Sequence, residues 1–270
     1  MNLFGLSGSQ KLKSSWNYIS RSQIWRLVPS GESRIVGEER DAGSKAVSFF
    51  CLDLQSGKPL WRDKAFDQEW WSGIEAVGEG VMLLHGFATP ELPGHRGITA
   101  VHIDRGHEIW KAPDLVFVGL HGTNVIASRG EVAGTSVVEL DLFSGVVVRE
   151  HGDALPVRHA APADDRVVTL RPAMNEPGPA TAVGPVEILE AAPLRAVVWY
   201  ESAGSGESRR FRSLMAVTDS RSGEEVLRET LQAGGVARVP QVVFVLDGFL
   251  CYLKERQTLV GIRIPSGTER

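Results

Sequence analysis

Apolar runs and turn residues alternate along this chain in one recurring phrase. Leu52-Asp53-Leu54-Gln55-Ser56-Gly57-Lys58-Pro59-Leu60-Trp61 is an apolar strand, a Ser-Gly turn and a second strand. The phrase returns at Val101 to Trp110, Glu139 to Arg149, Ala216 to Leu227 and Leu259 to Thr268. Such a hairpin cannot bury both faces alone, so neighbouring copies must cover it. The turn glycines, Gly57, Gly106, Gly145, Gly223 and Gly267, recur at a spacing of roughly 40 residues, one gap being double, which is the period of a β-propeller blade. Runs such as Val81-Met82-Leu83-Leu84 are apolar on both faces, as expected of sheets packed on both sides by neighbours.

Working outward from the glycines, each unit reads strand A, strand B, a loop, strand C, the Gly turn and strand D. The clearest unit is Glu69 to Lys111, with strands at Gly73 to Val77, Val81 to His85, Ile98 to Asp104 and His107 to Trp110. Ile24 to Lys64, Leu115 to Glu150, Val186 to Leu231 and Val236 to Gly267 follow the same plan. The likeness of Ile188-Leu189-Glu190-Ala191 to Ile74-Glu75-Ala76 sets Glu190 against Glu75. His151 to Pro185 departs from the plan: strands are expected at Pro156 to Ala160 and Arg166 to Arg171, then a Pro-, Gly- and Ala-rich loop from Pro172 to Gly184. The expected fold is an all-β propeller spanning residues 1–270 as one domain, with six blades and an irregular fourth, or alternatively five blades and an insertion. The last unit lacks strand D, so Leu12 to Ile19 is the expected closing strand of the ring.

Composition narrows the partners. With 270 residues, 43% of them hydrophobic, the chain can bury a full core. A net charge of -4 with both signs scattered leaves no basic stripe for a phosphate backbone, so nucleic acid is not an expected partner. Met1 to Ser20 has no signal-peptide core and no run is long enough to span a membrane, which predicts a soluble cytoplasmic protein without membrane contact. Cys51 and Cys251 sit in apolar strands and read as buried thiols, not a disulfide. No nucleophile elbow, Walker loop, dinucleotide fingerprint or zinc spacing appears, and no cofactor is expected.

The phrase from Leu52 to Trp61 resembles the repeat of quinoprotein dehydrogenases and of the outer-membrane assembly lipoprotein propeller, whose blades carry an Asp, a Thr-Gly or Ser-Gly turn and a Trp. Quinoproteins of this type have eight blades and a pair of adjacent cysteines against the cofactor; this chain is shorter and has no adjacent cysteines, so a quinone is not implied. Glu69-Trp70-Trp71-Ser72-Gly73-Ile74-Glu75, Leu83-Leu84-His85-Gly86 and Gly94-His95-Arg96-Gly97-Ile98 resemble an uncharacterised bacterial domain family of about this length, which carries no activity to inherit.

The Ser-Gly turns occupy one face of such a ring, leaving the longer B to C and D to A connections on the other, where function usually resides. Glu39 and Arg40 are expected on its rim. Trp70 and Trp71, adjacent in the chain, are expected to point opposite ways. Glu75 and Glu190 are expected to face a central channel, and Arg40 and Arg171 to offer forked donors to an anion. His85 and His95 are close enough in one hairpin to approach each other as ligands, yet spacing fixes no third group, so no metal is expected. These residues predict a non-catalytic propeller that binds a protein segment or a small polar ligand on this face. The alternative is an enzyme acting on a polar metabolite or sugar through the carboxylates and a histidine.

Overall fold

A computed structural model describes residues 11–31, 33–66, 70–89, 92–129, 136–151, 166–173, 176 and 178–265. The expected strand at Pro156 to Ala160, the turn at Gly267, and Asp67 to Glu69 lie outside the described residues.

The first strand is β1 (Trp16–Ile19). Then β2 (Gln23–Ser30), β3 (Arg34–Asp41), β4 (Ala46–Asp53) and β5 (Pro59–Lys64) make one four-stranded sheet. β6 (Gly73–Gly78), β7 (Val81–Thr89), β8 (Leu92–His102) and β9 (Glu108–Ala112) make a second, and β10 (Leu115–His121), β11 (Asn124–Arg129), β12 (Ser136–Asp141) and β13 (Val147–His151) a third. After the short β14 (Val168–Thr169) and β15 (Arg171–Ala173) come β16 (Val186–Ala191), β17 (Leu194–Ala203), β18 (Arg210–Asp219) and β19 (Glu225–Gly235), then β20 (Val243–Leu246), β21 (Phe249–Lys254) and β22 (Thr258–Arg263). The last two sheets have the orders β15-β16-β17-β18-β19 and β1-β22-β21-β20-β14. All pairings are antiparallel. The sheets fall into two compact units: residues 20–165 hold three, and residues 1–19 with 166–270 hold two.

Four of the repeated turns share one hydrogen-bond pattern. The amides of Gly57, Gly106, Gly145 and Gly223 donate to the carbonyls of Asp53, His102, Asp141 and Asp219, four residues back in each case. All four glycines have φ between +57° and +72°, a conformation that costs a residue with a Cβ. Asp53, Asp141 and Asp219 each turn a carboxylate oxygen onto the amides within the turn, for example Asp141 Oδ1 onto Ser144 N at 2.8 Å. The next residue of each copy, Leu54, Ile103, Leu142 or Ser220, donates its amide to the A to B turn of the same sheet.

The Trp of the phrase has a seat of its own. Trp61 lies on Gly106, and Trp110 on Gly145, so closely that a Cβ on either glycine would stand 2.5 or 2.6 Å from the indole. Each indole N–H donates to a backbone carbonyl of the sheet it lies on, Trp61 to Ile103 and Trp110 to Leu142. Alternation along β7 does what the sequence pattern predicts. Met82 and Leu84 join the core shared with Val36, Phe49 and Trp61, while Val81 and Leu83 join Leu120, Val125 and Val138. In the other unit, Leu189, Val198 and Met215 pack with Val243, Leu250 and Val260.

The N-terminal strand pairs with the last sheet as expected: Trp16 stands opposite Gly261 and Ile19 opposite Thr258. The loop expected between Val81–His85 and Ile98–Asp104 is largely strand: β7 and β8 carry the hairpin through Phe87 opposite His95. Among the described residues, the stretch expected as an irregular fourth blade adds one strand to each of two sheets, β14 to β20 and β15 to β16. Pro172 has no N–H to donate, which suits it to an edge strand. No described helix is long and apolar enough to cross a membrane.

Candidate functional site

Most of the singled-out residues converge in the unit of residues 20–165, around the start of β6 and the β7–β8 hairpin. Antiparallel register places Gly73 opposite His85 and Phe87 opposite His95. Between Ile74 and Ala76 the register slips by one residue, making Glu75 the extra residue of a bulge. A bulge re-aims its side chain. Glu75 Oε2 consequently lies 2.8 Å from His85 Nδ1 and 2.6 Å from His95 Nδ1. The two imidazoles stack with centroids 3.6 Å apart and planes 11° from parallel, and Phe87 meets both edge-on.

Burial pushes the Glu75 carboxyl up, but the two histidines together outweigh it and hold the group below the usual carboxylate range. His95 Nδ1 is hydrogen-bonded to Oε2. His85 Nδ1 is buried and, although near the same oxygen, lies off a hydrogen-bonding line to it. Spacing alone did not show Glu75 as the third group, because the bulge that turns it toward the histidines depends on cross-strand register.

Behind the triad sits a buried ion pair that the sequence reading missed. Glu38, 2% exposed, accepts a hydrogen bond from Arg40 Nε at 2.6 Å and another from the Ile74 amide at 3.1 Å. Arg40 also donates to the carbonyls of Trp70 and Ser72, so two of its nitrogens hold the entry to β6 while Nε holds Glu38. Its guanidinium lies over the rings of Trp70 and Trp25. This corrects two expectations: Arg40 is committed inside the protein and is no rim donor, and Glu39, 3% exposed, is buried with Ser48 near its carboxylate. Period-two alternation was the available signal, since residues two apart on a strand share a face and Glu38, not Glu39, shares Arg40's.

Trp70 and Trp71 diverge as expected. Trp70 carries Arg40 and Lys45 on its ring, whereas Trp71 meets Phe87 edge-on at 6.0 Å. Trp71 and Phe87 then line a cavity of about 390 Å³ with Ser72, Ile98, Thr99 and Pro113, and Arg96 and Lys111 reach it as cations. Each has an exposed acidic neighbour, Asp114 at 3.5 Å and Glu108 at 2.9 Å. Phe87, Arg96 and Lys111 were not singled out from sequence, because the hairpin holding the first two was expected to be a loop.

Arg171 and Glu190 belong to the other unit, where they pair with each other at 2.6 Å. Arg195 Nε stands 3.6 Å from the second Glu190 oxygen. The matching of Glu190 to Glu75 therefore fails in detail: Glu190 is regularly paired, opposite Arg195, and is half exposed.

Residues 28–110, which contain the triad, match the model of a domain of unknown function, DUF4905. No curated protein matches the chain. Among solved structures, the β-propeller domain of the Trilobed protease from Pyrococcus furiosus is 11% identical, with 90% of this chain and 79% of that one covered and a TM-score of 0.33. An uncharacterised protein from Listeria monocytogenes is 10% identical over 91% of this chain and 79% of that one, TM-score 0.35. The Dos1 propeller is 8% identical over 89% and 68%, TM-score 0.34.

Proposed function

We propose that the protein is a β-propeller binding module whose residue 20–165 unit takes a small anionic ligand with a flat apolar part. The fold reading is supported by sheets of A, B, C, D order, four equivalent Gly turns and the two Trp seats. The turn chemistry is that of the quinoprotein and outer-membrane assembly lipoprotein repeats. Because β14 and β15 extend neighbouring sheets, five blades with an insertion is favoured over six, and β1 takes the place of the closing strand D.

The cavity beside Trp71 and Phe87 carries the functional reading. Its volume of about 390 Å³ suits a small molecule better than a protein segment. Aromatic walls favour a planar group, and Arg96 and Lys111, whose ion pairs with Asp114 and Glu108 are solvent-exposed, supply positive charge for a ligand anion. The test is isothermal titration with benzoate and phenyl phosphate, with benzyl alcohol as the neutral comparison. The anions should bind one to one and more tightly than the alcohol. Trp71→Ala and Lys111→Ala should each weaken them about ten-fold, or about 1.4 kcal/mol. Equal binding of the alcohol, or indifference to both substitutions, would overturn the reading. A second reading, an enzyme acting on a polar metabolite, draws its support from the Glu75–His95 contact, a carboxylate held against an imidazole as acid–base chemistry requires.

A further inference from the structure

We propose that Glu75, His85 and His95 form a site for one divalent transition-metal ion of the zinc class, bound by a Glu75 carboxylate oxygen and the two Nδ1 atoms. The site shares Phe87 with the ligand cavity, but none of its three ligands lines that cavity and the proposal does not depend on the cavity's occupant.

The donor set is the first argument. One carboxylate oxygen and two imidazole nitrogens lie within 4.8 Å of one another. Two histidines and a carboxylate leave room for water or another ligand and suit zinc and its neighbours, whereas calcium and magnesium require a shell of oxygens. The His85 nitrogen is the second. His85 Nδ1 is buried, 2.8 Å from the Glu75 carboxylate but off a hydrogen-bonding line to it, in a side chain nine-tenths buried. Buried polar atoms are rarely left so, and a cation between nitrogen and oxygen would satisfy both.

Support around the ligands is the third. All three stand on paired strands, which position ligands more rigidly than loops do. Gly73 leaves the room that the His85 ring needs on this side: a Cβ there would be 3.1 Å from His85 Nε2 and 3.2 Å from Glu38 Oε2. Glu38 is itself fixed by Arg40 and the Ile74 amide.

Metal entry has a structural consequence. Around a tetrahedral ion with bonds of about 2.0–2.1 Å, neighbouring ligand atoms stand about 3.3 Å apart. The 2.6 and 2.8 Å contacts must therefore widen by roughly 0.7 and 0.5 Å. An ion also lies in the plane of each imidazole it binds, so the stacked rings must turn apart. His95, with 39% of its side chain exposed, is the ring with room to turn.

The experiment is a titration of untagged, chelator-stripped protein with Co²⁺, followed by visible absorption, with Zn²⁺ as competitor and histidine ring resonances followed by NMR. One Co²⁺ per chain should bind and be displaced by Zn²⁺, with the resonances of His85 and His95 shifting together. Because His85 is buried and its replacement endangers the sheet, the variants are His95→Ala and Glu75→Ala, each expected to lower affinity at least ten-fold. His107→Ala is the control, since His107 stacks on His102 at 5.5 Å and forms the competing histidine pair. Unchanged Co²⁺ affinity in both His95→Ala and Glu75→Ala would overturn the proposal, as would loss in His107→Ala alone or no one-to-one uptake by the native chain.

Discussion

Replacing Gly106 by Ala separates two costs that a turn glycine usually confounds. The first is backbone: Gly106 has φ +57°, and a Cβ in that region costs about 1–2 kcal/mol. The second is steric. The new Cβ would stand 2.5 Å from Trp61 Cδ2 and 2.7 Å from Cγ, and the ring cannot swing aside because it is buried and its N–H is held by the Ile103 carbonyl. Overpacking of this kind adds about 1–3 kcal/mol. Gly122, in the same unit, supplies the comparison: its φ is also +57°, and a Cβ there would meet nothing within 4 Å. Gly122→Ala should thus show the backbone cost alone, and Gly106→Ala should exceed it by about 1–3 kcal/mol. Urea unfolding followed by far-ultraviolet circular dichroism measures both. The steric part should disappear when Gly106→Ala is placed in a Trp61→Leu background, giving a coupling of the same size in the double-mutant cycle. Equal losses for the two glycines, or no coupling to Trp61, would refute the idea that the turn glycine is the seat of the preceding Trp.

Arg40→Ala should destabilise the 20–165 unit by about 3–5 kcal/mol in urea unfolding, because it strands the buried Glu38 carboxylate; a loss below about 1 kcal/mol would contradict the assignment. Burial raises the thiol of Cys51 to about 12 and that of Cys251 well above its ordinary range, so neither should react with Ellman's reagent in the native protein, while two thiols per chain should react in urea. The Ser56 hydroxyl, foremost among its partners, holds the Asp53 carboxyl below its ordinary 3.8. Because the folded value is the lower one, its stabilisation is present above the unfolded value and lost as pH falls through the folded one. Ser56→Ala should accordingly flatten the fall of stability below about pH 5 and leave it unchanged above, and an unchanged slope would count against the turn contact.

What could be read from the chain divides along a physical line. Strand, turn and strand are local: the Asp carboxylate, the turn amides and the left-handed Gly lie within five residues, so the phrase around Gly57 also located its counterparts at Gly106, Gly145 and Gly223. Two-faced burial was legible in Val81 to Leu84 for the same reason, since alternation needs only neighbouring residues. The need for a fourth strand in the last sheet was legible as a shortage, and β1 answers it. The stretch before Pro185 was legible only in part: among its described residues, strand structure does fall at the expected Arg166 to Arg171, but as two pieces of two and three residues that depend on the sheets they join.

The site was less legible because it is made by register. Glu75 was noticed as a carboxylate on strand A and the histidines as a possible pair, yet nothing local says that the β6–β7 ladder slips by one residue at Glu75. The same slip explains why Glu190, its sequence counterpart, makes only half-exposed ion pairs: its ladder runs through regularly, with Arg195 opposite. Glu75 is thereby brought to two histidines that the β7–β8 hairpin has already stacked. Gly73 completes the arrangement by leaving the room that the His85 ring needs. Two glutamates matched in sequence thus have different chemistry because one stands on a bulge, which makes the bulge itself the feature to alter. Deleting Glu75 should restore a regular ladder, keep the sheet, and separate the histidines from any carboxylate. Glu75→Gln should instead keep the slip and the neutral contacts while removing the charge. If the bulge positions the site, the deletion should abolish Co²⁺ uptake outright, with Glu75→Gln retaining a weaker site. Equal residual uptake in the two variants would show that the histidines alone, without the slip, hold the ion.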